Sequence, residues 1–269
     1  MEWFEAVILG LLQGLTEFLP VSSSGHLEIG KVLLGVETTD DLMFTTMVHA
    51  ATVLSTIVVF RKQIFGLLKG FFKFSYNDET DYLFKIAVSI IPVMIVGLFF
   101  KDHVEALFGS IKVVGYALLL TSALLFFSDL ASKPGKDVRK PESEARNGIS
   151  YWQAFVVGLA QALAVVPGLS RSGTTISTGL ICGVRRDVMA QFSFLMVLVP
   201  ILGESFLELV GGEFASSSVG ALPLLLGFVS AFVSGLFACK VMIALVKKAK
   251  LSWFAIYCLV AAAAIFIFA

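Results

Sequence analysis

The sequence predicts an all-α polytopic membrane protein, with six full transmembrane helices and two re-entrant helical hairpins in an inverted-topology repeat. Three observations lead there. Of its 269 residues, 57% are hydrophobic and 15% charged, where soluble domains carry about 25% charged residues. Apolar runs of spanning length recur along the chain. Two further apolar regions are each broken in the middle by Pro, Gly and Ser. This composition excludes a soluble globular enzyme, a disordered chain and a nucleic-acid binder. Lys+Arg and Asp+Glu balance at 20 each, so net charge names no partner.

The first element, residues 3–36, is interrupted by Pro20-Val21-Ser22-Ser23-Ser24-Gly25. One longer and one shorter half remain, the shorter near 26–35, which reads as a hairpin that enters and leaves one face. The start, Met1-Glu2-Trp3-Phe4-Glu5, has no basic region, so no cleaved signal peptide is expected. Spans follow at 42–60, 84–100 and 111–130, each near the ~20 residues a span needs. These complete repeat 1 (1–130), and a cytoplasmic linker occupies 131–150. Repeat 2 (151–269) opens with hairpin 151–184, broken at Pro167-Gly168-Leu169-Ser170-Arg171-Ser172-Gly173, with its short half near 174–184. Spans 189–209, 222–245 and 252–268 complete it. Pro92, Pro200 and Pro223 read as kinks or span starts. Cys182, Cys239 and Cys258 lie in apolar runs without a CxxC pair and read as small packed hydrophobes.

Charge placement orients the chain. Regions 61–85 (Arg61, Lys62, Lys69, Lys73, Lys85) and 131–149 (Lys133, Lys136, Arg139, Lys140, Arg146), with Arg185, Arg186, Lys247, Lys248 and Lys250, hold 15 of the 20 basic residues. The opposing loops carry Lys31, Lys101 and Lys112 beside Glu37, Asp40, Asp41, Glu204, Glu208 and Glu213. The basic side is cytoplasmic by the positive-inside rule. Both termini and the first hairpin then lie outside. The scheme closes only if both broken segments are re-entrant.

A shift of 148 residues aligns the two hairpins without a gap. Ala6/Ala154, Gly10/Gly158, Leu11/Leu159, Gln13/Gln161, Leu15/Leu163, Ser22/Ser170, Ser24/Ser172 and Gly25/Gly173 match. Apolar matches arise easily by chance; the Gln and Ser-x-Ser-Gly matches do not. Three spans separate the copies, so they have opposite orientation. Inverted repeats with broken helices place a binding site near the midplane at the repeat interface.

Irregular backbone at that depth survives only inside protein or along a wet cavity. Both loops lead into short helices whose N-termini present free N–H groups and partial positive charge. Ser22, Ser23, Ser24, Gly25, Ser170, Ser172, Gly173 and Thr175 supply hydroxyls and flexible backbone for an anion. Arg171 adds a cationic fork that suits phosphate. Glu17 and His26 occur in the first copy only, at Val165 and Thr174 by the same shift. Glu17 follows Gln13 by four residues, on one helix face. A carboxylate, an imidazole and hydroxyls beside an anion pocket can furnish nucleophile, base and acid. Each residue also has a structural role open to it. Glu17 can neutralise Arg171, His26 can bond backbone at a helix start, and the serines can be N-caps. His49, in an apolar span, reads first as a core or cavity histidine. His103 beside Asp102 reads as solvated, and Glu204 and Glu208 as shaping an entrance.

At these residues the chain resembles the undecaprenyl-pyrophosphate phosphatase family, the bacitracin-resistance type of bacterial membrane phosphatase. The first motif runs Gln13-Gly14-Leu15-Thr16-Glu17-Phe18-Leu19-Pro20-Val21-Ser22-Ser23-Ser24-Gly25-His26 and the second Pro167-Gly168-Leu169-Ser170-Arg171-Ser172-Gly173-Thr174-Thr175. The likeness covers essentially the whole chain. Gln13 stands where other members have Glu. The resemblance implies hydrolysis of undecaprenyl diphosphate to undecaprenyl phosphate and inorganic phosphate in the bacterial inner membrane, which recycles the carrier for wall synthesis and confers bacitracin resistance. It also implies a divalent cation, Mg²⁺ or alternatively Ca²⁺, with Glu17 as a metal ligand. Catalytic roles fall to Glu17, His26, Ser23 and Arg171, phosphate contacts to the remaining loop residues, and support to Gln13. Ser23, His26 or a positioned water is the attacking group. The expected partners are a polyprenyl diphosphate lipid and the bilayer, with a homodimer left open. The site should open outward.

The competing class is a secondary transporter or flippase, since inverted repeats and broken helices are transporter features. An acid–base pair in one copy alone argues for chemistry over carriage. A non-catalytic scaffold leaves Glu17 and Arg171 unexplained, because charges at this depth are costly.

Overall fold

The computed structural model describes residues 1–36, 42–100, 103–104, 106–107, 110–132, 145–203 and 219–268. Glu37, Asp40, Asp41, Lys101, Asp102, Glu204, Glu208, Glu213 and the linker residues Lys133, Lys136, Arg139 and Lys140 lie outside these, as does the end of span 189–209. The described residues form ten α-helices and no strand. They are α1 (Trp3–Thr16), α2 (Ser23–Leu34), α3 (Leu42–Phe71), α4 (Asp78–Phe99), α5 (Ile111–Ala131), α6 (Tyr151–Leu163), α7 (Arg171–Ile181), α8 (Arg186–Met196), α9 (Ala221–Lys248) and α10 (Ser252–Phe268). Past a turn at Val197, α8 continues as helical backbone over 198–203. Five segments are long and apolar enough to cross a membrane: Met43–Phe71, Asp78–Phe99, Ile111–Ala131, Arg186–Gly203 and Ala221–Val246. The predicted last span, α10, is a helix of 17 residues, and α1 has 14.

Caps set the boundaries. Glu2/Glu5 close a capping box on α1, and Ser150/Gln153 close one on α6 at the equivalent register. Asn77 caps α4 by accepting from Thr80 N, with Asp78, Glu79 and Asp81 in the first turn where acids oppose the positive helix end. The short helices begin three residues before their expected starts. Ser22 Oγ accepts from Gly25 N, and Ser170 Oγ from Gly173 N, so the Ser-x-Ser-Gly stretches become N-caps and first turns rather than free loop.

Between apolar helices in lipid, close backbone approach replaces hydrophobic burial as the driving term. Gly10 and Gly14 on α1 lie against Gly227 and Ala231 of α9. A Cβ at Gly10 would stand 2.4 Å from Gly227 O, and one at Gly14 2.5 Å from Ala231 O. Gly158 on α6 meets α4, where a Cβ would come 2.3 Å from Ser89 O. α1 thus packs on α9 and α6 on α4, and α5 packs along α10.

Two buried polar networks tie helix ends on the side rich in basic residues. Lys85, counted above with the cytoplasmic loop, is instead buried inside α4. Its Nζ donates to Asp81 Oδ2 and Arg146 O, both at 2.6 Å, while Tyr76, Asn147 and Tyr151 complete Asp81. Arg186 donates to Asp129 (2.5 Å), whose other oxygen accepts from Ser252 N at 2.7 Å. Cys239 and Cys258 are free thiols and buried.

Candidate functional site

The two interrupted segments meet loop against loop. Gly168 N donates to Ser24 Oγ (3.4 Å), and Ser172 Oγ donates to Leu19 O (3.1 Å). Gly168 has φ +87° and touches Val114, with a Cβ placed only 2.6 Å from Val114 Cα. Only glycine fits this turn. Ser170 N donates to Thr121 Oγ1 at 3.1 Å, anchoring the second loop on α5.

Glu17, at the C-terminal end of α1, is the centre of the arrangement. Its Oε2 accepts from Ser23 Oγ at 2.6 Å and from Gln13 Nε2 at 2.9 Å. Arg171 Nη1 lies 3.6 Å from Oε1 and His49 Nε2 3.9 Å from Oε2. The Glu17 side chain is 11% exposed and Arg171 32% exposed. Four sequence-marked residues, Gln13, Glu17, Ser23 and Arg171, therefore converge. Arg171 Nη1 and Gln13 Oε1 make no hydrogen bond among the described residues, which leaves the first, a donor, to an oxyanion and the second, an acceptor, to a water or hydroxyl. A cleft opens beside them, lined by Glu17, Arg171, Ser172, Thr52, Thr56 and Ser193 on its polar side. Phe18, Val53, Phe194, Val197, Leu198 and Ile201 form its apolar side.

The other marked residues stand around this core. Ser22 and Ser170 cap their helices, and Gly25 and Gly173 supply the capped N–H groups. Ser22 and Ser24 hydroxyls lie 3.3 Å apart, Ser170 and Ser172 3.4 Å. Thr175 Oγ1 donates to Arg171 O (2.8 Å) and lies 2.7 Å from Ser193 Oγ. His26 makes no hydrogen bond or ion pair with Glu17. Its Nδ1 is 2.7 Å from Ser22 O and its Nε2 2.6 Å from Tyr257 OH.

Sequence reasoning passed over three residues here. His49, read as a core or cavity histidine, faces Glu17, and its Nδ1 is 2.8 Å from Thr45 O. A polar stripe at helical spacing, Thr45, His49, Thr52 and Thr56, was the available signal. Ser193 and Tyr257 carried none, since the residues three and four positions away on either side of each are apolar. His103 is exposed and packs edge-on against Phe100.

The family described as "Bacitracin resistance protein BacA" matches residues 6–264. The chain belongs to this family. An undecaprenyl-diphosphatase of Bacteroides fragilis is 55% identical over 96% of the chain and 95% of its own length. One of Parabacteroides distasonis is 57% identical over 97% and 96%. A third, of Korarchaeum cryptofilum, is 35% identical over 98% of both. Both motifs of this BacA-family chain fall within the matched residues, and they are the segments that meet at Glu17.

For a divalent cation, the described residues offer no group of three or more His, Cys, Asp or Glu able to hold one. Glu17 stands as one carboxylate with Arg171 and His49 beside it. This donor set fits Mg²⁺ in one form: a single carboxylate, with the remaining positions filled by substrate phosphate oxygens and water.

Proposed function

We propose that the protein hydrolyses undecaprenyl diphosphate to undecaprenyl phosphate and inorganic phosphate at the Glu17–Ser23–Arg171 cluster. This returns the lipid carrier to wall synthesis and underlies bacitracin resistance. The observation that carries the mechanism is the 2.6 Å hydrogen bond from Ser23 Oγ to Glu17. A hydroxyl held on a carboxylate is an activated nucleophile. Ser23 Oγ attacks the terminal phosphorus as its proton passes to Glu17. The bond from phosphorus to the bridging oxygen breaks, and undecaprenyl phosphate leaves with the proton that Glu17 took up, which returns Glu17 to its carboxylate. Water, deprotonated by Glu17, then attacks the phosphoserine; the bond from phosphorus to Ser23 Oγ breaks, Oγ takes the proton back from Glu17, and phosphate is released. Arg171, with the N-termini of α2 and α7, stabilises the charge on the transferred group. Ser22, Ser24, Ser170, Ser172 and Thr175 complete the phosphate cradle, and Gln13 orients Glu17. Mg²⁺, or the larger Ca²⁺, held by Glu17 and the diphosphate, would neutralise phosphate charge when bound. The apolar wall of the cleft suits the first units of the polyprenyl chain. Pairing of two copies is not required, since every group named lies on one chain.

The arrangement proposed is six spans, with α10 as the sixth, and two re-entrant hairpins, α1–α2 and α6–α7, in inverted repeats 1–130 and 151–269 around the linker. Matching caps, matching Ser-capped loops and the reciprocal glycine contacts support it. The protein then sits in the bacterial inner membrane with both termini outside and the cleft open outward.

The test is phosphate release from undecaprenyl diphosphate by purified wild type, Glu17→Gln and Arg171→Ala, with and without Mg²⁺. Release by wild type alone, with folded but inactive variants, is expected. No release from folded wild type would move the reading to a lipid carrier, to be followed by movement of lipid across vesicles.

A further inference from the structure

Tyr257 lies on α10 and is 47% exposed. Its hydroxyl is 2.6 Å from His26 Nε2, and the two rings stack with centroids 5.5 Å apart and 12° between planes. The opposite ring nitrogen, Nδ1, is 2.7 Å from Ser22 O. A carbonyl oxygen can only accept, so Nδ1 carries the hydrogen and Nε2 presents a lone pair, to which Tyr257 donates. The result is a relay of two hydrogen bonds from the last helix to the backbone of the first loop. Ser22, at its end, has φ +70° and ψ +98°, a conformation costly for a residue with a Cβ. Such a turn persists only when its surroundings hold it. Ser23 follows directly and points at Glu17.

We propose that Tyr257 is a positioning residue for the reaction: it locks the His26 ring in one orientation, and through the Ser22 carbonyl holds the turn that aims Ser23 at Glu17. This rests on Ser23 being the attacking group. Tyr257 also covers Nε2, so His26 acts here as a strut.

Tyr257→Phe keeps the ring and its stacking and removes only the hydroxyl. In detergent or nanodiscs, kcat should fall about tenfold with KM within about twofold of wild type, as expected for a lost hydrogen bond that affects geometry rather than substrate binding. Histidine ¹⁵N resonances supply a readout that a packing role would not move. His26 should report the Nδ1–H tautomer in both proteins, with its Nε2 resonance shifted in Tyr257→Phe by loss of the hydrogen bond. An unchanged kcat, a change in KM alone, or an unchanged His26 signal would each overturn the proposal. Ser23→Ala, assayed alongside, must be inactive. If it turns over, the reading of Ser23 fails and takes this one with it. If it is inactive while Tyr257→Phe is fully active, only the role of Tyr257 fails. Tyr257→His, which restores a ring donor, should recover part of kcat.

Discussion

Glu17 carries four neighbours that pull in one direction: two hydrogen-bond donors, a guanidinium and an imidazole. In the proposed reaction Arg171 serves both Glu17 and the phosphate, which its planar fork suits better than an ammonium does. Arg171→Lys should therefore fold normally yet lose at least about tenfold in kcat/KM, measured by phosphate release. Ser22 offers a different contrast, because it combines an N-cap with a positive φ. Ser22→Ala loses the cap and keeps the strain, at about 0.5–2 kcal/mol. Ser22→Gly loses the cap but relieves the backbone, so its thermal midpoint in detergent should lie above that of Ser22→Ala. The reverse order would mean that the turn is not strained. These residues also show what a single sequence reveals. Gln13, Glu17, Ser23 and Arg171 were legible because polar groups in apolar surroundings at two matched loops admit few explanations. Tyr257 was not, because its partner lies 231 residues away.

At the scale of elements, glycine spacing sets how close the helices come. Gly14 and Gly158 each meet backbone of a neighbouring helix, whereas a Cβ on Gly66 of α3 meets nothing within 4 Å. Gly14→Val and Gly158→Val should each destabilise by about 1–3 kcal/mol through overpacking, and Gly66→Val should leave the melting curve near wild type. Equal effects at all three positions would refute backbone contact as the cause. Helix identity was readable from apolar run length, but helix ends were not. α3 runs on to Phe71 past Arg61 and Lys62, because Arg and Lys favour helix and a charge marks the end of the bilayer, not of the helix. Serine-rich stretches suggested loop and proved to be caps with first turns, since a serine hydroxyl satisfies an orphan N–H only from that position.

For the whole molecule, the orientation read from the distribution of Lys and Arg makes a prediction of its own. A cysteine placed at Ser24 should react with a membrane-impermeant reagent added to intact cells, and protection there would reverse the topology. One further consequence comes from the length of α10. Its 17 residues rise about 25 Å at ~1.5 Å each, short of the ~30 Å of a typical hydrocarbon core. α3, with 30 residues, reaches about 45 Å. With α10 as the proposed sixth span, the surrounding bilayer is pinched on the flank where Tyr257 and His26 lie, whereas α3 runs on past the bilayer at Arg61 and Lys62. A diphosphate headgroup anchored at the interface has less depth to descend on the pinched flank. Turnover in reconstituted vesicles should accordingly fall as acyl chains lengthen, since hydrophobic mismatch is a modest but steady penalty; a rate indifferent to thickness would mean that the local thinning plays no part in delivering the substrate.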